Sequence, residues 1–350
     1  MRVLIVKLSS MGDLVQALPA LTDARRAIPD IKFDWVVDQA FAEIPRWHSA
    51  VGNTIPTAHR RWKKQLFKTL KSGELKSFKQ QLQSVEYDCV IDAQGNHKSA
   101  VVTALANGNK CGFDKATARE YGAHWAYHRH FHLPRQQLAI TRLRKLFAQS
   151  LGYELPDTAP DFGLVDRQWP QPAIDLPEQQ FLMFVHNASW TNKCWPEIHW
   201  RHLIDIAGQQ NYRVLLPWGS AEEEARAHRL AQGYDHAMVL PRLPLSELAF
   251  LFSISSGAIC VDTGLAHIAA ALDVPTLTLY GPTDPALIGA TGNNAEQKVA
   301  PGFSCTPCYK RFCQVDSYRG PEAQCLNGVA ADQVWQEFDV LRSRTINLPE

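Results

Sequence analysis

Apolar residues in this chain gather into short, almost unbroken runs, each closed by a turn carrying Gly, Ser or Asp and followed by helical periodicity. Arg2–Leu8 (RVLIVKL) leads through Ser9-Ser10-Met11-Gly12-Asp13 to a helix around Leu18–Ile28. KFDWVV (32–37) and YDCVI (87–91) are the next strand-like runs, the second ending in Asp92-Ala93-Gln94-Gly95. Strands alternating with helices predict an α/β chain with a parallel, doubly wound sheet. From about Leu155 to Gln180 the periodicity stops and Pro, Asp and Gln accumulate, which marks a domain boundary.

Beyond that boundary the same grammar restarts. Strands are expected at Phe181–Val185, Tyr212–Leu216, Ala237–Leu240, Gly257–Val261 and Thr276–Tyr280. Helices are expected near Pro196–Gln209, Glu222–Gln232, Leu245–Ser253, Leu265–Leu272 and Ala331–Ser343. The expected division is a first Rossmann-like lobe over 1–160, a second over 175–328, and a terminal helix and tail over 329–350. Two such lobes would hold substrates at the carboxyl ends of their strands, in a cleft between them.

Length agrees, since 350 residues suffice for two cores. A content of 45% hydrophobic and 20% charged residues is that of a soluble globular protein. No apolar run approaches the roughly 20 residues of a spanning helix, and the apolar run at the start is short for a signal peptide. A cytoplasmic setting is therefore expected. A net charge of +1 argues against bulk nucleic-acid binding, but the charge is unevenly spread. Between His59 and Lys79 stand Arg60, Arg61, Lys63, Lys64, Lys68, Lys71, Lys76 and Lys79 against the single acid Glu74, interleaved with Trp62, Leu66, Phe67, Leu70, Leu75 and Phe78. This pattern suits an anionic membrane surface or anionic substrate; the plainer alternative is a solvated helix face.

The cysteines change the picture further. Four of the eight cluster as Cys305-x2-Cys308-x4-Cys313-x11-Cys325. Four thiolates over so short a stretch fit a structural zinc, although the spacing is irregular for a zinc ribbon and a reduced loop is the alternative. His124, His128, His130 and His132 form a run that no carboxylate or cysteine completes, so they are read as polar surface.

The candidate chemistry sits where strands end. VDTGLAHIAAALDVPTLTLYGPTDP (261–285) sets Asp262, Thr263 and Gly264 at the junction of a strand and a small-residue helix, with His267 one turn further on. Helix N-termini present unpaired N–H groups and partial positive charge, so this turn suits a phosphate, with Asp262 and His267 within reach of flanking sugars. Lys193, in the loop SWTNKCW that begins at Ser189, would neutralise a departing diphosphate. Glu223 would accept from ribose hydroxyls, or serve only as a first-turn charge. In the first lobe Gly12 allows close backbone approach, and Asp13 would take a proton from a nucleophilic hydroxyl or simply cap its helix. GxGxxG is missing from both lobes, which disfavours a dinucleotide oxidoreductase or epimerase.

Taken together, SSMGD after the first strand, NKCWP, LPWGS with Glu223, VDTGLAH and YGPTDP resemble the ADP-heptose:lipopolysaccharide heptosyltransferases (glycosyltransferase family 9). These are inverting enzymes of GT-B architecture, two Rossmann-like lobes facing across a cleft. RVLIVKLSSMGDL, LPALTDARRAIP, IKFDWVVD and VIDAQG look most like the type I enzymes, which add the first heptose to the Kdo of the lipopolysaccharide inner core. CTPCYKRFCQVDSYRGPEAQC looks more like the type II members. The resemblance implies Asp13 as general base. It implies donor contacts from Gly12, Ser189, Lys193, Glu223, Asp262, Thr263, Gly264 and His267. Ser10, Arg60, Arg61, Lys64, Lys98 and Arg119 would meet an anionic Kdo-lipid A acceptor at the cytoplasmic face of the inner membrane. No metal is required by this scheme. The rival expectations are a type II or III enzyme acting on an already heptosylated core and a non-catalytic nucleotide-sugar-binding protein.

Overall fold

A computed structural model describes residues 1–315 and 323–346. The chain divides into two compact units, Met1–Leu164 and Val165–Glu350.

Each unit is built on one six-stranded sheet. The first contains β1 (Arg2–Val6), β2 (Lys32–Asp38), β3 (Val51–Thr57), β4 (Glu86–Asp92), β5 (Asn107–Phe113) and β6 (Arg129–Phe131). The second contains β7 (Phe181–Val185), β8 (Arg213–Leu216), β9 (Ala237–Val239), β10 (Ala258–Val261), β11 (Thr276–Tyr280) and β12 (Ala295–Val299). The strand orders are β3-β2-β1-β4-β5-β6 and β12-β11-β10-β7-β8-β9, and every neighbouring pair is parallel. The order reverses between β1 and β4 in one sheet and between β7 and β10 in the other. In a doubly wound sheet those reversals open a crevice at the carboxyl ends of the strands, where ligands bind.

The central strands are buried throughout because both faces are covered: Val3 to Val6, Leu182 to Phe184 and Ala258 to Val261 have no exposed surface. In the second unit helices Glu197–Gln209 and Ala331–Ile346 supply Trp200, Leu203, Ile204, Val334 and Phe338 to one continuous core. The terminal helix is thereby part of that core. In the first unit Leu4, Val6, Val36, Val90 and Val102 form the corresponding cluster. Arg144 and Asp23 pair inside this unit at 2.6 Å, both nearly free of solvent, tying helix Ala139–Leu151 to helix Leu18–Ala27.

The basic segment is three short helices, His59–Lys64, Leu66–Lys71 and Glu74–Gln83. Trp62 is buried and stacks obliquely on Phe78, centroids 5.4 Å apart, whereas Phe67 is 84% exposed.

Candidate functional site

At the first switch point, the loops after β1 and β4 are tied to each other. Gln94 Oε1 accepts from the backbone N–H of Leu8 at 2.6 Å and of Ser9 at 3.4 Å. Lys7, buried at the end of β1, donates from Nζ to the Ala93 carbonyl at 3.0 Å. Asp92 folds its own loop by accepting from the amides of Gln94 and Gly95 at 2.9 and 2.8 Å, and takes the Tyr127 hydroxyl at 2.7 Å. On this braced platform stands Asp13, half-buried in helix Met11–Val15, directly after the buried Gly12.

Asp13 Oδ2 accepts from the Ser10 backbone amide at 2.9 Å and from the Ser10 hydroxyl at 2.5 Å. The helix-capping role expected as the plain alternative is therefore real, and Asp13 Oδ1 has no part in either bond. Burial pushes the Asp13 carboxyl up, but the Lys7 ammonium, both Ser10 bonds and the Arg119 guanidinium together hold it below the ordinary carboxylate value. Asp92 goes the other way, raised by burial despite the hydrogen bonds it accepts from Gly95, Tyr127, Gln94 and Ser99. The two carboxyls are thus pushed in opposite directions, Asp13 towards its charged form and Asp92 away from it.

At the second switch point, β10 ends in Asp262 and helix Gly264–Ala271 begins. Lys193, on the loop after β7, pairs with Asp262 at 2.6 Å, the two side chains 14% and 5% exposed. The other contact to Asp262 Oδ2 is the Thr283 hydroxyl, donating at 2.5 Å from the turn after β11. Thr263 is the residue before the helix, in extended conformation, and its hydroxyl makes no cap bond to the helix amides. A hydroxyl and helix N–H groups thus remain available beside an ammonium, an arrangement suited to a phosphate. His267 is buried one turn into that helix, and Ser189 is exposed on the Lys193 loop. Gly281, in the turn after β11, is packed so closely that a Cβ would lie 2.9 Å from Cys325 Sγ and Leu326 Cγ. Glu223 follows β8 in helix Ala221–Ala231, where its carboxylate accepts from the Gly219 amide at 2.7 Å. One of its oxygens is therefore already committed to shaping the strand end.

Of the expected acceptor cations, Arg119 is exposed and lies within electrostatic reach of Asp13. Lys98 is exposed near the start of helix His97–Leu105, and its charge, after burial, helps lower His59 below the usual imidazole value. Lys64 is exposed. Arg61 is engaged by Glu74 in a two-pronged ion pair, so a ligand must compete for it. The side chain of Arg60 lies outside the described residues. Sequence reasoning did not single out Lys7, Gln94, Trp190 or Thr283. A lysine closing an otherwise apolar strand, and the amide in VIDAQG, were the available signals.

The four cysteines expected as a zinc cluster face one cavity. Cys305, Cys308, Cys313 and Cys325 line one cavity of about 220 Å³ together with Asn192, Pro282 and Phe303, but among the described residues no group of three or more His, Cys, Asp or Glu side chains is placed to hold a metal. Residues 316–322 of the segment lie outside the described residues. The histidine run does gain a carboxylate, against expectation: His132 Nδ1 and Asp114 Oδ2 are 2.7 Å apart across β-strand ends. His130 Nε2 lies 2.9 Å from the His124 carbonyl oxygen, so these imidazoles are occupied in local packing.

Known proteins share this sequence and frame. Residues 75–319 match the model of glycosyltransferase family 9 (heptosyltransferase). The chain is 49% identical to lipopolysaccharide heptosyltransferase 1 of Pseudomonas aeruginosa over 314 residues, covering 89% of this chain and 87% of that one. It superposes on the structure of E. coli heptosyltransferase WaaC with ADP with a TM-score of 0.85 and 44% identity, over 97% of this chain and all of that one. The structure of WaaC with ADP-2-deoxy-2-fluoro heptose gives 0.82 and 43%, over 97% of this chain and 99% of that one. With the family model spanning most of its length and relatives this similar over nearly all of it, the chain belongs to glycosyltransferase family 9, the heptosyltransferases.

Proposed function

We propose that the chain transfers L-glycero-D-manno-heptose from ADP-heptose to the Kdo of Kdo-lipid A. The observation that carries this reading is the second switch point. Lys193, Asp262 and the free hydroxyl of Thr263 converge there on the start of helix Gly264–Ala271. The relatives about 50% identical over most of the chain are type 1 heptosyltransferases, and the similar E. coli heptosyltransferase WaaC is solved with ADP and with ADP-2-deoxy-2-fluoro heptose.

In this reading the diphosphate takes Lys193, the Thr263 hydroxyl and the helix N–H groups beside Gly264. Asp262 and His267 meet the heptose, Glu223 offers its remaining oxygen to the ribose, and Ser189 and Gly12 lie along the donor. Asp13 takes the proton of a Kdo hydroxyl. That oxygen attacks the anomeric carbon in line and forms the new glycosidic bond as the bond to ADP breaks, with inversion. The electron pair leaves with the diphosphate, where cationic and dipolar groups stabilise it. General-base assistance is worth on the order of 10²–10⁴-fold. Ser10, Lys98, Arg119 and the basic helices carrying Arg60, Arg61 and Lys64 meet the anionic acceptor and the membrane that holds it. Among the described residues no helix is long and apolar enough to cross a membrane, and the basic helices support a peripheral association.

The test is transfer from radiolabelled ADP-heptose to defined acceptors. Kdo-lipid A should be glycosylated, and Asp13→Ala should lose at least 100-fold in turnover while still binding ADP. Near-normal turnover by Asp13→Ala would overturn the base assignment. A preference for a heptosylated core would favour the type II reading, to which the cysteine segment is similar. Binding of ADP-heptose without acceptor-dependent ADP release would reduce the chain to a binding protein.

A further inference from the structure

The cysteine-bearing stretch 303–315 has no part in the chemistry above, yet the fold lays it against the donor loop. The Asn192 side-chain amide donates to the Lys310 carbonyl, and the Tyr309 N–H donates to the Pro282 carbonyl at 2.8 Å. Arg311 lies over the indole of Trp190, its Cζ 5.6 Å from the ring centroid. The Lys193 ammonium is 4.9 Å from the same centroid. One ring therefore carries two cations, one from each segment.

The two are not equally satisfied. Lys193 is paired with Asp262. Arg311 is exposed, and among the described residues it has no carboxylate partner. Two like charges over one ring repel, and the arrangement is relieved when an anion joins them. A cation–π contact also restrains an arginine side chain while leaving guanidinium N–H groups to donate, which suits a grip on a phosphate and reduces the side-chain entropy lost on binding.

We propose that residues 303–315 form part of the donor site, and that Arg311 is a second diphosphate-binding cation acting beside Lys193 across Trp190. The cavity lined by the four thiols lies under this segment and gives it a compact, apolar underside. The proposal rests on the donor reading above and adds to it a residue and a segment.

The experiment is calorimetric titration of the full chain and its Arg311→Gln and Arg311→Lys variants with ADP, AMP and adenosine at fixed salt. Because Arg311 is exposed, neither change removes a core contact. Arg311→Gln should weaken ADP by about tenfold, AMP by less, and adenosine not at all, while Arg311→Lys recovers part of the loss. ADP binding by Arg311→Gln within twofold of the unmodified chain overturns the proposal. So do equal losses for ADP and adenosine, which would mark a packing role. Failure of the unmodified chain to bind ADP at all overturns the donor reading and this proposal with it, so the two failures are distinguishable.

Discussion

The ammonium assigned to the diphosphate already has a partner within the fold. Lys193 and Asp262 are 2.6 Å apart and nearly buried, so a phosphate that takes Lys193 must first displace a carboxylate. At an effective dielectric of about 20, two unit charges at that separation attract by roughly 6 kcal/mol. Desolvation of both groups cancels most of this, leaving a net on the order of 1–2 kcal/mol that ADP binding forfeits. Asp262→Asn removes the charge but keeps the shape and an oxygen for the Thr283 hydroxyl. Repulsion between Asp262 and the incoming diphosphate disappears as well, with the same sign. ADP should therefore bind Asp262→Asn about 5–30-fold more tightly than the unmodified chain. Turnover of ADP-heptose should nevertheless fall, because the carboxylate assigned to the heptose is gone. Calorimetric titration with ADP, beside the transfer assay on the same preparations, separates the two effects. A folded Asp262→Asn that binds ADP no better than the unmodified chain would refute the displacement argument.

Lys7→Met should move the acid limb of the kcat/KM–pH profile upward, because the ammonium is the largest influence holding the Asp13 carboxyl down and its loss leaves burial to push it up. An unmoved limb would separate Lys7 from the base. Buried His48 and His186, lowered by desolvation to about 4 and about 3, stay neutral in the fold while the unfolded chain protonates near 6.5. Their stabilisation is complete above about pH 6.5 and drains as pH falls from there toward 4, which urea unfolding at pH 7.5, 6 and 5 should register as falling midpoints. A flat midpoint over that range would contradict it. Gly108 has φ of +128° and would place a Cβ 2.2 Å from the Tyr87 carbonyl oxygen, so Gly108→Ala should cost at least about 2 kcal/mol and lower the melting temperature by several degrees.

The donor half was the more legible because its chemistry follows apolar strands at once: Val261 runs into Asp262-Thr263-Gly264, and Val185 into the Lys193 loop. The edge strands were illegible for the opposite reason. VGNTIPT, NGNKCGF and AEQKV carry Pro, Gly or charge, as strands at or near a sheet edge can, and so lack the continuous apolar signature of the centre. Lys7 was hidden because it terminates an apolar run, where only tertiary structure reveals that its ammonium meets the Ala93 carbonyl and acts electrostatically on Asp13. Four cysteines at short spacing suggested a metal, and in the fold they line one cavity. The basic segment read as one amphipathic stretch, and breaks at Gln65 and Ser72 divide it into three helices with Phe67 turned to solvent.

The repeated strand order carries a consequence for how such a chain can diversify. The same frame occurs twice, and each copy keeps its reactive loops at its own reversal of strand order, braced by bonds internal to that copy. One copy presents the Asp13 carboxylate bonded by Ser10; the other presents the Lys193 ammonium and a helix terminus. In the proposed reading, proton acceptance and anion binding are assigned to different compact units of one chain. On that assignment, substitutions around Asp13 and around Lys193 fall in different compact units and act on different substrates.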